Sequence, residues 1–171
     1  DALLKKDLTI AQQFELIESI YNREHDQNTI DELFNSLSIK ANLSQKYDSC
    51  SLGEKKRIMI ALSVYSNSPC IILDEPLSSI DYEDKHSIMK LLKKYSHDRV
   101  IILTIHDEEF DEYLDIKYLI ENLQFIRIKD NESNGEPLSM TQEFTPKRIA
   151  HVKSKKDKFS ILLYASLYLV I

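Results

Sequence analysis

An α/β fold built on parallel strands is what these 171 residues predict, and three observations carry that expectation. Cys70–Leu73 and Arg99–Ile105 are short unbroken apolar runs, the pattern of strands buried on both faces. Between them, Asp81–Tyr95 repeats apolar residues at helical spacing. Only two glycines and four prolines occur, too few for the tight turns of a β-rich fold. A strand, a helix and a strand in succession predict a right-handed parallel crossover. Both strands then deliver their next residues to one edge of the sheet, the edge where ligands gather in open α/β folds.

The elements follow in chain order. Residues 8–22 place Ile10, Phe14, Ile17 and Tyr21 on one helical face, with Thr9 as the cap. Thr29-Ile-Asp-Glu32 reads as a capping box opening a second helix that carries Leu33, Phe34 and Leu37. Ser51-Leu-Gly-Glu54 leads into a third helix, Lys55 to Tyr65, in which Ile58, Ala61, Leu62 and Tyr65 recur and which Asn67-Ser-Pro69 ends. The strand at Cys70–Leu73 stops at Asp74-Glu75-Pro76. The helix over Asp81–Tyr95 buries Ile88, Leu91, Leu92 and Tyr95, and the second strand delivers His106. Tyr118–Ile128 reads as one or two short strands, and Lys129–Thr145 as a polar loop.

Composition narrows the function classes. A hydrophobic content of 43% with 29% charged residues is that of a globular domain, and a net charge of −6 provides no general attraction for nucleic acid. Cys50 and Cys70 have no partner at metal-ligand spacing, so both read as thiols in a reducing compartment. No secretory signal opens the chain. Six basic residues against one acid fill Lys147–Lys158, and the thirteen residues Phe159–Ile171 are almost wholly apolar. Thirteen residues fall short of the ~20 that span a bilayer. A basic stretch ahead of an apolar one is nonetheless how a membrane helix begins on its cytoplasmic side. The expected organisation is therefore a helical segment over 1–66, an α/β core over 67–128, a polar and basic linker over 129–158, and the start of a transmembrane helix over 159–171.

Four motifs carry chemistry. Cys50-Ser-Leu-Gly-Glu-Lys-Lys-Arg57 resembles the ABC signature, Ile71-Ile-Leu-Asp-Glu-Pro76 the Walker B strand, Leu77-Ser-Ser-Ile-Asp81 the D-loop, and Leu103-Thr-Ile-His106 the switch-histidine segment. Each is weak alone. Their common order and spacing resemble the ABC ATPases, and the signature is closest to the G subfamily of the White and pleiotropic-drug-resistance type. Asp1–Glu18 is similar to the stretch that follows the Q-loop glutamine, so the likeness covers nearly the whole chain.

The resemblance implies a partial P-loop NTPase domain with a helical signature subdomain, ATP and Mg2+ as cofactors, and head-to-tail pairing with a second ABC ATPase domain. It implies that Asp74 serves the magnesium, usually through water, that Glu75 is the general base and that His106 bonds the γ-phosphate. It further implies that Ser51, Gly53 and Glu54, at a helix N-terminus, contact ATP held by the other subunit, and that Asp81 lies at the same contact. His25, His86, His97 and His151 have no comparable context and read as surface residues. Leu52 replaces a signature glycine, and Asp107-Glu108 replaces the family's Gln-Pro after the histidine. No G-x-x-x-x-G-K-[ST] occurs in these residues, so the expectation is a fragment or a degenerate copy. The functional expectation is the ATP-binding portion of a membrane exporter with its ATPase part cytoplasmic. The alternatives are a soluble ABC ATPase and an incomplete half that lends its signature to a partner.

Overall fold

The computed structural model describes residues 4–106, 108–121 and 124–130. Four helices and four strands follow one another as α1 (Ile10–Tyr21), α2 (Gln27–Ser36), α3 (Leu52–Tyr65), β1 (Cys70–Leu73), α4 (Tyr82–Tyr95), β2 (Val100–Leu103), β3 (Ile116–Glu121) and β4 (Gln124–Asp130). Of the linker expected over 129–158, Lys129 and Asp130 instead end β4, because the antiparallel pairing carries the strand that far; the rest of it, with His151 and the expected membrane-helix start at 159–171, lies outside the described residues. Among the described residues no helix is long and apolar enough to cross a membrane.

Thr9 caps α1 as expected, in a full capping box with Gln12. Ile10, Phe14 and Ile17 are buried, each such side chain contributing about 1.5–3 kcal/mol by leaving water. Tyr21, assigned to the same face, is exposed instead. It is the last residue of the helix, and Asn22 turns the chain away with a left-handed φ of 49°. The second helix starts earlier than its capping-box pattern implied. Asp26, not Thr29, is its cap: the Asp26 carboxylate accepts from the Thr29 N–H at 3.0 Å and from the Thr29 hydroxyl at 2.6 Å. An aspartate three residues upstream is a stronger acceptor than a hydroxyl, so Thr29 becomes a donor inside the first turn. Glu32, freed from capping, meets Lys94 of α4 at 2.6 Å.

The strands β1 and β2 pair in parallel, with Cys70 opposite Val100 and Leu73 opposite Leu103. The helix α4 connects them, as the strand-helix-strand pattern required. The core runs from Ile10 through Tyr65, Leu73 and Leu92 to Leu114. Tyr65 sits at its centre, fully buried, edge-on to Phe14 with ring centroids 5.0 Å apart. The expectation that β1 is buried on both faces is corrected. Ile71 and Leu73 are buried, but Cys70 is exposed and Ile72 is 73% exposed, because no described element covers that face. The segment expected to hold one or two short strands forms two, β3 and β4, paired antiparallel with Tyr118 opposite Arg127.

Candidate functional site at the carboxyl end of the parallel pair

The site begins where the strands stop. Thr104 continues the ladder by donating its N–H to the Leu73 carbonyl at 3.1 Å, so the residues after β1 and after β2 emerge side by side. Asp74, Glu75 and His106 share this rim and are exposed. Glu75 Oε1 lies 3.0 Å from His106 Nε2, and Thr104 Oγ1 donates to Asp74 Oδ1 at 2.8 Å. The three residues assigned to metal and proton chemistry are therefore brought together on one edge.

Backbone geometry aims Glu75. Its φ of 44° lies in the left-handed region, which costs a residue with a Cβ on the order of 1–3 kcal/mol and persists only where surroundings over-determine it. Those surroundings are present. The Glu75 N–H donates to Thr104 Oγ1 at 2.7 Å, and the Glu75 carbonyl accepts from Lys56 Nζ at 3.1 Å, Ser78 N at 3.1 Å and Ser78 Oγ at 2.9 Å. Four hydrogen bonds thus hold one strained peptide segment.

The signature segment is positioned by a different set of contacts. Residues 43–47 return along the start of α1, where Ile10 N donates to Gln45 O and Tyr47 N to Leu8 O. A single 3-10 turn at Tyr47–Ser49 then delivers Cys50 and Ser51. Ser51 is the N-cap of α3 in a complete capping box: its hydroxyl accepts from the Glu54 N–H at 3.2 Å and its own N–H donates to Glu54 Oε2 at 3.0 Å. That backbone bond holds the Glu54 carboxyl below its ordinary range. Burial pushes the Cys50 thiol up, away from the reactive thiolate, and both cysteines are free thiols.

Gly53 has a structural duty within the chain. A Cβ there would come within 2.9 Å of the Ser79 carbonyl, so only glycine lets α3 lie this close to the loop after β1. Leu52, beside it, is 61% exposed. Asp81 caps α4 by position without a side-chain cap bond; its side chain is 94% exposed and lies 3.8 Å from Arg57 Nη2. Ser51, Gly53 and Glu54 gather at the α3 N-terminus, while Asp81 opens α4. Of the other histidines, His25 and His97 are surface residues as expected, whereas His86 is half-buried, edge-on to Phe110 at 5.1 Å. Asp107 lies outside the described residues.

Three residues that matter here lie inside the quoted motifs but were given no role of their own. Thr104 was legible only as part of the histidine segment, and the register of two strands is needed to see that it faces Asp74. Lys56 and Arg57 could have been found from the helical period, which puts residues three and four beyond Gly53 on the face that meets the 75–84 loop. Arg57 is buried, donating to the Leu37 and Ser38 carbonyls and to Asp84 Oδ2 at 2.7 Å. An open cleft of about 580 Å3 runs beside the site, from Tyr21 and Met59 to Lys56, Ile72 and Asp74.

Known proteins resemble this chain in sequence and in fold. Residues 1–78 match the ABC transporter family model. An ABC transporter ATP-binding protein of Pyrococcus furiosus is 30% identical over 111 residues, covering 63% of this chain and 39% of that protein. The ATP-dependent lipid A-core flippase of Pasteurella multocida is 32% identical over 101 residues, covering 59% of this chain and 16% of the flippase. ABC transporter A family member 10 of Dictyostelium discoideum is 35% identical over 85 residues, covering 47% of this chain and 10% of that protein. The chain thus spans two fifths or less of the length of these relatives. Among solved structures, a cobalt transport ATP-binding protein superposes with a TM-score of 0.58 at 20% identity, over 68% of this chain and 44% of that one. A bacterial ABC transporter cassette solved as a dimer, and in a post-hydrolysis state with ADP and Pi, superposes at 0.56 and 21% identity over 66% of this chain and 52% of its own. These likenesses show the ABC ATPase fold.

Proposed function

We propose that this chain, which carries part of an ABC transporter ATP-binding domain, contributes the hydrolytic centre of an ATPase in which Glu75 is the general base. The observation that carries the reading is the 3.0 Å contact between Glu75 Oε1 and His106 Nε2 beside Asp74, at the shared end of two parallel strands. The exposed Asp74 carboxylate is a hard oxygen donor and suits a cation that keeps water and phosphate oxygens as its other ligands, which is the habit of Mg2+. Bound there with ATP, magnesium supplies charge neutralisation on the phosphates. Glu75 accepts the proton of the attacking water. His106 steadies the Glu75 carboxylate and is the rim's hydrogen-bond group for phosphate charge.

Ser51, Gly53 and Glu54 at the α3 N-terminus, with the exposed Asp81, form the face offered to ATP on a second ATP-binding domain. Helix N-termini attract phosphate through their free N–H groups and dipole. A related fold solved as a dimer supports pairing of this kind. The basic 147–158 stretch ahead of the apolar 159–171 stretch supports a cytoplasmic ATPase joined to a membrane helix, with export as the work done. The G-subfamily reading rests on Cys50–Arg57 alone.

The test is ATP turnover by the full-length product of the gene. Glu75→Gln lowers kcat about 100- to 10,000-fold while ATP still binds, the range for loss of a general base. Turnover that survives this substitution defeats the reading.

A further inference from the structure

The Thr104 side chain reaches both Asp74 and Glu75. Leu73 and Leu103 are register partners, and the Thr104 N–H extends the ladder to the Leu73 carbonyl at 3.1 Å. The residue after β2 therefore stands beside the residues after β1. A threonine hydroxyl has one proton to donate and two lone pairs to accept with. Here the proton goes to Asp74 Oδ1 at 2.8 Å, and a lone pair receives the Glu75 N–H at 2.7 Å. The roles are not interchangeable, because a backbone N–H can only donate and the carboxylate can only accept.

We propose that Thr104 is a positioning residue for the hydrolytic centre, its single hydroxyl holding both the Asp74 carboxylate and the left-handed turn that directs Glu75. The inference rests on the ATPase reading above. One side of the hydroxyl settles which Asp74 oxygen is engaged within the protein, and so how the carboxylate is presented to a hydrated cation. The other side ties down the N–H of a residue at φ 44°, whose side chain reaches His106. Both consequences need the oxygen of Thr104 and neither needs its methyl group. Valine copies the shape without the oxygen, and serine keeps the oxygen without the methyl.

The experiment compares the full-length product of the gene with its Thr104→Val, Thr104→Ser and Thr104→Ala variants. Mn2+ serves as the probe cation, its affinity in the presence of ATP read by electron paramagnetic resonance, alongside kcat and KM for ATP. Thr104→Val is expected to weaken Mn2+ binding and lower kcat by about 10- to 100-fold each, the range for losing a group that orients a metal ligand. The KM for ATP and the properties of Thr104→Ser should stay within roughly threefold of the unsubstituted protein. If Thr104→Val does not fold, Thr104→Ala carries the same comparison. Unchanged Mn2+ affinity in the hydroxyl-free variant overturns the inference, as does a serine variant damaged as much as valine. A silent Thr104→Val in a protein that Glu75→Gln still inactivates removes only the role of Thr104. An unsubstituted protein that neither binds Mn2+ with ATP nor hydrolyses ATP removes the ATPase reading along with it.

Discussion

Glu75 and His106 stand 31 residues apart in sequence, yet Oε1 of one lies 3.0 Å from Nε2 of the other. Two features bring them together: the parallel pairing that ends β1 and β2 at the same level, and the left-handed φ of Glu75. Groups that act as one unit do not contribute additively. His106→Ala in the full-length protein is therefore expected to lower kcat strongly, and Glu75→Gln with His106→Ala to be no worse than the worse single variant. Steady-state ATPase rates of the four proteins test this, and full additivity of the two losses refutes a shared role.

Gly53→Ala should destabilise the protein although alanine is the better helix former. In an open helix the change would gain up to about 1 kcal/mol. Here the new Cβ meets the Ser79 carbonyl at 2.9 Å, and a backbone atom next to the left-handed Ser79 does not move aside cheaply. Overpacking of this kind costs about 1–3 kcal/mol, so a net loss is expected. Urea unfolding of the variant measures it; a gain in stability would show that the loop after β1 yields freely.

Arg57 ties three segments together: the turn after α2 through Leu37 O and Ser38 O, the first turn of α4 through Asp84, and its own helix α3. Its head group is nearly buried, and Arg57 Nε has no hydrogen-bond partner, so the site already carries a polar cost. Arg57→Met takes the guanidinium from Asp84, which keeps the Ser38 hydroxyl at 3.2 Å, and from two carbonyls, an expected loss of about 3 kcal/mol. Arg57→Lys should recover little of it, because an ammonium does not reproduce the fork of donors. Denaturant midpoints of both variants check the order.

Two exposed groups give pH effects of opposite sign. The hydrogen bond from His25 to Glu18 raises the imidazole above its ordinary 6.5. Stability from this pair is present in full below pH 6.5 and is lost as pH rises through the folded value. Glu54 is held below its ordinary 4.5 by the Ser51 N–H. Its contribution is present above pH 4.5 and is lost as pH falls through the folded value. Melting temperatures of His25→Gln and Glu54→Gln relative to the unsubstituted protein should converge above neutrality for the first and in acid for the second. Parallel curves across the whole pH range would remove both assignments.

Much of this arrangement was legible in the residues. The apolar runs at 70–73 and 99–105 marked the strands, helical periodicity marked α1, α3 and α4, and the polar residues after each strand marked the rim. Those signals are local, set by side-chain period and by where an apolar run stops. The errors were also local. Thr29 looked like a cap because Glu32 follows at the right spacing, but the helix begins three residues earlier, at Asp26, which accepts the Thr29 N–H. The run Cys70–Leu73 looked buried on both faces, and only Ile71 and Leu73 proved so.

The sequence by itself determined which residue types could do chemistry and in what order the chain presents them: Ser51, Gly53, Asp74, Glu75, Asp81 and His106. Tertiary structure alone decided their mutual distances. It also decided that Thr104 bridges Asp74 and Glu75, that Gly53 is needed to seat α3 on the loop at Ser79, and that Arg57 joins α2 to α4. The physical reason is that a periodic pattern records only which face of an element avoids water. Hydrogen bonds between residues 20 to 31 positions apart depend on strand register and helix seating, which exist only once the chain has packed.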